Sequence, residues 1–484
     1  MCGIFGYVGS RTVAPLLLEG LRALEYRGYD SAGIYIPGQS VVKAVGPIDN
    51  LARKVPAGLS GTTGIAHTRW ATHGAPTEHN AHPHHGGDGV WIVHNGIIEN
   101  YRELKDQLQH EGIQVQSETD SEILAIMIER KYDGDLVAAV RNASAQVRGT
   151  YGVAVVHAAH PDEIVVARLG SPIVLGLGTD GNYVSSDPAA LLAHTKDVVY
   201  LEDSEIARLN QDRYTVSDID GTRRHKKAHV IDWDPTEVQK GGFEHFMLKE
   251  IHAAPEVVEN TIRGRLLVDH GRAKLGGLES VLDRIGRLDR LTIVGCGSAY
   301  LAGHVGKYLL QEYAGLPTDI ELASEYRYQT NLPSTNSALL AVTQSGETAD
   351  TLAAVRLAQE LGVLTLGMVN VVGSTIARET EAGMYNHAGP EVAVASTKAV
   401  ISQLCGFVLM TLLIGRERGL DRATGTAIAT ALATLPEALE EVLKLAPQIK
   451  AIAEKYATYE DAMFIGRNLH APIAYEGALK LKEV

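Results

Sequence analysis

Apolar and polar positions alternate in two different ways along this 484-residue chain. In the first half, short apolar runs of strand length are separated by polar, glycine-punctuated loops, with helical stretches between them. Residues 4–8, 34–36, 90–94, 151–157, 163–167, 173–177 and 198–201 read as strands, and residues 14–24 carry apolar side chains at helical spacing. Residues 64–74 begin apolar and end polar, the pattern of a strand that delivers Arg69, Thr72 and His73 to a site at its end. A helix is predicted to open at Thr119 or Asp120, either of which is a good cap, and to run to Arg130. So much sheet with interspersed helix predicts a mixed α+β domain over residues 1–239. Gly241-Gly242 after a polar stretch predicts a hinge over 240–250, with a helix beginning near Phe243. From residue 251 the pattern becomes strand–loop–helix. Strand 291–294 precedes a helix to 310, strand 338–342 precedes helix 349–361, and strand 363–368 follows. That alternation predicts an α/β domain over 251–448, a parallel sheet with helices on both faces. Residues 449–484 add a predicted strand at 462–465 and a helix at 474–483.

Composition narrows the partners. With 58 acidic and 44 basic residues the net charge is −14, which disfavours nucleic acid and anionic membranes as bulk partners. The most apolar run, 404–414, is too short to span a bilayer. Three cysteines, Cys2, Cys296 and Cys405, make no disulfide framework and fit a reducing cytoplasm, and no apolar leader precedes Cys2.

Cysteine at position two is the first candidate for chemistry. Removal of Met1 would leave a residue carrying both a thiol and a free α-amine, a nucleophile and a base together. Without other signals it is as readily a small residue that permits methionine removal. Asn95-Gly96 reads first as a hairpin turn. Its functional alternative is an oxyanion hole, a side-chain amide and a backbone N–H aimed at a tetrahedral intermediate. Arg69 suits a surface ion pair or a bidentate clamp on a carboxylate. Asp120 suits a helix cap or an ammonium partner. Seven of the 19 histidines lie between His67 and His94, but their spacing matches no zinc pattern, and no metal is expected.

These residues resemble one family. Cys2-Gly3-Ile4, the 26–33 loop, residues 67–74, His94-Asn95-Gly96 and Ser117-Glu118-Thr119-Asp120 recur in this order in class II glutamine amidotransferases. The resemblance implies the αββα sandwich of N-terminal-nucleophile hydrolases, with Cys2 as nucleophile and its α-amine as base. It implies Asn95 and Gly96 as the oxyanion hole, and Arg69, Thr72, His73 and Asp120 as the holders of L-glutamine.

In the second half, Gly295–Tyr300 suggests a dinucleotide loop, but Tyr300 stands where the third glycine belongs. Thr343-Gln344-Ser345-Gly346-Glu347-Thr348 is a better anion seat, a cluster of hydroxyls, an amide and backbone N–H groups before a helix. Plain helix capping by Ser345 or Thr348 is the ordinary alternative. Residues 393–398 add hydroxyls and Lys398. These loops resemble the sugar isomerase (SIS) domain. Together with the first half they identify the chain as similar to the glutamine–fructose-6-phosphate aminotransferase family over essentially its whole length. That implies Ser298, Thr343, Gln344, Ser345 and Thr348 around the phosphate of fructose 6-phosphate, and Val394 and Ser396 along the sugar. Ala299 stands where serine is common in the family, so it receives no role. Glu476, Lys480 and Glu483 share one helix face. A solvated salt-bridge stripe is the ordinary reading. The resemblance makes Glu483 the base between sugar C1 and C2, with Lys480 and Glu476 beside it, and gives Trp70 a role in gating ammonia.

By the same resemblance residues 449–484 open a second, incomplete SIS domain. A ring-opening histidine and a Schiff-base lysine are expected beyond Val484, so this chain is expected to hydrolyse glutamine and to make little glucosamine 6-phosphate. No cofactor is expected, and a homodimer is expected by analogy. Two other readings stand beside it, another class II amidotransferase and a non-catalytic phosphosugar-binding regulator. The first lacks a phosphoribosyltransferase or ATP-pyrophosphatase signature after residue 251, and the second leaves the Cys2 constellation without a purpose.

Overall fold

The computed structural model describes residues 2–71, 74–231, 240–330 and 336–484, with the side chain of Tyr26 omitted. The chain divides into two units, Met1–Val238 and Gln239–Val484.

The first unit is built on strand Gly3–Gly9, buried along its whole length. Both of its faces are apolar because both are covered. Phe5 and Tyr7 pack with Leu17 and Leu21 of helix Val13–Leu24. Ile4 and Val8 face the other way, into a layer with Val93, Val156 and Ile164. The strand pairs antiparallel with Thr63–Arg69 on one side and Gly181–Ser185 on the other, in an eight-stranded sheet. Val93, Val156 and Ile164 belong to a second, seven-stranded sheet in which Val90–Ile98 pairs antiparallel with Gly149–His157. The outer face of that sheet, with Ile92, Val155 and Val165, packs on Ile123 and Met127 of helix Asp120–Lys131 and on Ala139 and Val140 of helix Leu136–Ser144. The order helix, sheet, sheet, helix is the αββα sandwich.

The hairpin reading of Asn95-Gly96 is corrected. Both residues lie inside the Val90–Ile98 strand, where Asn95 pairs with Gly152 and Gly96 with Tyr151. Gly96 has φ 138°, and a Cβ there would lie 2.1 Å from the Thr150 carbonyl oxygen. Glycine here serves close strand approach, not a turn.

In the second unit five parallel strands run in the order Thr318–Leu322, Arg290–Gly295, Ser337–Thr343, Leu364–Val369, Ala382–Tyr385. Successive residues face opposite sides. Leu340 and Val342 point to helices Ser298–Ala314 and Lys398–Glu417, while Leu339 and Ala341 point to helix Ala349–Glu360. Helices therefore cover both faces.

Two expectations need correction, and two domain bounds fall within helices. The apolar run at 404–414 belongs to the longer helix Lys398–Glu417, 20 residues, long and apolar enough to cross a membrane by composition. Of its most apolar window 78% is buried against the sheet and neighbouring helices, which accounts for that composition. Residues 462–465 form no strand and are exposed, and among the described residues they pair with none of the sheets. The hinge expected at 240–250 includes the start of helix Phe246–His252, and Glu250 is buried among backbone donors of the second unit. The boundary expected at 448 falls inside helix Ala446–Tyr456.

Candidate functional site

The Gly3–Gly9 strand carries Cys2 to its edge. Gly3 N–H donates to Thr68 Oγ1 at 3.1 Å and Ile4 N–H to Ser186 Oγ at 2.9 Å, which pins the backbone on either side. A Cβ at Gly3 would sit 2.7 Å from both Leu24 Cβ and Thr68 Oγ1, so glycine lets the strand end approach its neighbours. The Cys2 thiol lies at the end of strand Thr63–Arg69. Trp70 N–H donates to Sγ at 3.2 Å, and the thiol donates to the Trp70 carbonyl at 3.4 Å. Burial pushes the thiol up, while the Trp70 contact and the Arg69 and Arg27 charges pull it down, with a net rise. The resting group is therefore a thiol that needs a base.

Asn95 Nδ2 donates to the Cys2 carbonyl at 3.0 Å, so the side-chain amide reaches Cys2 from the second sheet. Arg69, buried at its strand end, donates to the carbonyls of Gly74 and Ala75, each at 3.1 Å. Burial lowers its affinity for a proton; Cys2 and the carboxylates of Asp30, Asp120 and Glu118 oppose that shift. Asp120 is buried, and its Oδ2 accepts from Ile98 N–H at 2.8 Å, which ties the helix start to the strand bearing Asn95. Thr119 occupies the N-cap position of that helix without a capping side-chain bond. Thr72 and His73 lie outside the described residues. Trp70 is part-exposed, with its ring edge-on to Tyr29 at 5.5 Å. Among the described residues no three His, Cys, Asp or Glu side chains are grouped as metal ligands.

The second unit gathers the other candidates where neighbouring parallel strands end, the usual ligand position of an open α/β sheet. Ser298 opens helix Ser298–Ala314 after Gly297, whose φ is 55°. Its Oγ donates to Glu476 Oε1 at 2.8 Å and accepts from Lys480 Nζ at 3.0 Å. Lys480 also lies 3.3 Å from Glu476 and 3.0 Å from Glu483. Residues 178 and 182 positions apart in sequence thus meet in one polar cluster. The stripe on helix His470–Glu483 is mostly withdrawn from solvent at Glu476 and Lys480, unlike a surface ion-pair row.

The next loop folds on itself. Thr343 and Thr348 hydroxyls are 3.2 Å apart, Gly346 N–H donates to Thr343 Oγ1 at 3.2 Å, and Glu347 N–H donates to Ser345 Oγ at 3.2 Å. The Gln344 carbonyl accepts from Asn370 N–H at 3.3 Å. Thr348 is the N-cap residue of Ala349–Glu360 but makes no capping bond, so its hydroxyl remains with the loop. Gly346 has φ 69°, and a Cβ would lie 1.9 Å from Ser374 Oγ. Gly346→Ala is expected to destabilise this unit by about 2–3 kcal/mol through strain and overlap and, if the loop has the phosphate role that the resemblance implies, to weaken binding of fructose 6-phosphate. Denaturant melts with and without fructose 6-phosphate check this; an unchanged midpoint and ligand shift would contradict it.

Two carboxylates absent from the sequence expectations hold the third loop. Glu391 accepts from Thr397 N–H and Ala399 N–H at 2.8 and 2.9 Å and from Ser396 Oγ at 3.0 Å. Glu250 accepts from Val392 and Ala393 N–H and from Thr397 Oγ1. Burial and the facing Glu250 raise Glu391 above the usual carboxylate range. Val394 is exposed beside them, and Ser396 is engaged with Glu391. A carboxylate five residues before a hydroxyl run was the available signal for Glu391; Glu250 had none.

Known proteins divide the chain the same way. Residues 67–193 match a family model described as a glutamine amidotransferase domain, and residues 286–413 match the SIS domain. Fold and sites together define an amidotransferase of N-terminal-nucleophile type joined to an SIS unit. Relatives named glutamine–fructose-6-phosphate aminotransferase (isomerizing) align over the whole chain. The Chlorobaculum tepidum protein is 46% identical over 495 residues, with 81% of its length covered. One from Thermus thermophilus is 47% identical with 80% covered, and one from Methanosarcina mazei is 42% identical with 81% covered. The chain belongs to the glutamine–fructose-6-phosphate aminotransferase (isomerizing) family.

Proposed function

We propose that this chain hydrolyses L-glutamine at Cys2 and serves the transfer of the ammonia to fructose 6-phosphate, forming glutamate and glucosamine 6-phosphate. The observation that carries the reading is the meeting of the Cys2 thiol, the Trp70 N–H and the Asn95 amide at one strand end. After removal of Met1 the Cys2 α-amine takes the thiol proton as Sγ attacks the glutamine amide carbon. Asn95 Nδ2 and Gly96 N–H stabilise the oxyanion, and collapse of the intermediate expels ammonia with the proton returned from the amine. Water then opens the γ-glutamyl thioester to glutamate. Arg69 and Asp120, with Thr72 and His73, hold the carboxylate and ammonium ends of glutamine. Trp70 gates the ammonia, a role that the family resemblance supports.

In the second unit Ser298, Thr343, Gln344, Ser345 and Thr348 bind the sugar phosphate, and Val394 and Ser396 line the sugar. Glu483 moves the proton between C1 and C2, with Lys480 and Glu476 setting its surroundings. The family resemblance supports these roles, as it supports a homodimer formed through the SIS units. Three unpaired cysteines support action in the cytoplasm.

The test uses glutamine labelled with 15N in the amide. Label released as ammonia with equimolar glutamate is expected, and binding of fructose 6-phosphate is expected to raise the melting temperature. No glutamate from a chain whose first residue is confirmed as Cys2 would overturn the glutaminase assignment. Full activity with Met1 retained would overturn the amine's role as base.

A further inference from the structure

His67 lies on the Thr63–Arg69 strand, two residues before Arg69, and is fully buried. The strand belongs to the eight-stranded sheet, and the His67 ring crosses to the seven-stranded one. Its Nε2 is 3.0 Å from Asn95 Oδ1 and 3.1 Å from the His94 carbonyl oxygen. Both neighbours are acceptors, so Nε2 carries the hydrogen. That settles the Asn95 carboxamide. With Oδ1 toward His67, Nδ2 faces Cys2. Turned over, it would set an N–H against Nε2–H and an oxygen against the Cys2 carbonyl, losing both bonds.

We propose that His67 is a positioning residue for glutamine hydrolysis, holding the Asn95 carboxamide in the one orientation that presents its N–H donors to the oxyanion. The inference rests on the oxyanion role proposed for Asn95. The surroundings keep His67 in the required form. Its other face packs on the His82 ring at 4.0 Å between centroids. Among the described residues His67 Nδ1 and both His82 ring nitrogens are buried without a hydrogen-bond partner. A second proton on His67 would find no acceptor among the described residues, and burial holds its pKa down at about 3. The ring is thus neutral, with its single hydrogen on Nε2, wherever the enzyme works. Removing this constraint leaves Asn95 free to present its carbonyl oxygen to a developing negative charge.

The experiment measures kcat and KM for glutamine hydrolysis in the full chain and in His67→Leu, His67→Gln, Asn95→Ala and the His67→Leu/Asn95→Ala double variant. Cys2 alkylation by iodoacetamide, which needs the thiol and no oxyanion hole, is measured in parallel. Asn95→Ala is expected to lower kcat by about 10²–10³-fold, as loss of an oxyanion donor does. His67→Leu is expected to lower kcat by about 10–100-fold, with KM and alkylation within about threefold of the parent. The double variant should be no slower than Asn95→Ala, and His67→Gln, whose amide N–H reaches toward Oδ1, should recover most of the loss. Undiminished kcat in Asn95→Ala would overturn the role of Asn95 itself. An impaired Asn95→Ala beside a normal His67→Leu would overturn the positioning role alone. Multiplying losses in the double variant would also overturn it, as would a change in alkylation as large as the change in kcat, which marks collapse of the site.

Discussion

Glutamine hydrolysis is expected to fall by about 10³-fold or more in Cys2→Ala, with the fold and glutamine binding retained. In the proposed reaction the substitution removes the atom that forms the thioester and leaves the proposed glutamine holders in place, since Arg69 and Asp120 are anchored by other bonds. Its structural cost is small. Among the described residues the Cys2 sulfur makes two hydrogen bonds, both with the Trp70 backbone. Cys2→Ser is expected to be nearly as inactive, because an alcohol is harder to deprotonate than a thiol whose own value burial already raises. Glutamate release measures the rate and calorimetric titration with glutamine measures binding. A Cys2→Ala enzyme keeping more than about a tenth of the parental rate would rule out the nucleophile assignment.

The amidotransferase unit is expected to lose stability steeply on acidification, through a mechanism separate from its carboxylates. His67, His82, His84 and His94 are all buried, and burial is the largest cause of the fall in each one's pKa. His67 is lowered to about 3, and His82 and His84 lie well below the ordinary histidine value. A folded-state value below the unfolded one means that the unfolded chain takes up protons first. The stability these groups contribute is complete above about pH 6.5 and drains as pH falls toward the folded values. Each histidine that must charge on unfolding costs about 1.4 kcal/mol per pH unit in that window. His67, His82 and His84 acting together correspond to a drop of about 8 °C or more in the unit's melting temperature between pH 7.5 and 5.5. Melts monitored by circular dichroism at half-unit pH intervals check this, and a midpoint constant to about 2 °C would refute it. His82→Leu is expected to flatten the slope by about a third, because a ring without polar partners among the described residues is replaced by a side chain that cannot protonate.

Much of this was legible before any coordinates. Strand 4–8 was recognisable from apolar side chains at successive positions, because both faces of that strand are covered. The parallel sheet of the second unit was recognisable from strand–loop–helix spacing. The turn reading of Asn95-Gly96 failed because local turn chemistry is the same in a hairpin and in a strand that needs a glycine for close approach. Only pairing with Gly152 and Tyr151 separates them. The strand expected at 462–465 failed for the complementary reason, since an apolar run becomes a strand only where another edge offers partners.

The order of residue types along the chain determined which chemistry was available: a cysteine at position two, an amide before a glycine, hydroxyl-rich loops before helices, and a Glu–Lys–Glu face. Those are local properties, set by side-chain identity and short-range spacing. Tertiary structure alone decided what each group faces. It set Ser298 against Glu476 and Lys480 across more than 170 residues. It laid Glu250 and Glu391 under the 393–398 loop. It also turned His67 from one histidine among seven into the donor that orients Asn95. Hydrogen bonds reach about 3 Å and proton affinity depends on burial, so both are properties of neighbours that a one-dimensional spacing does not contain.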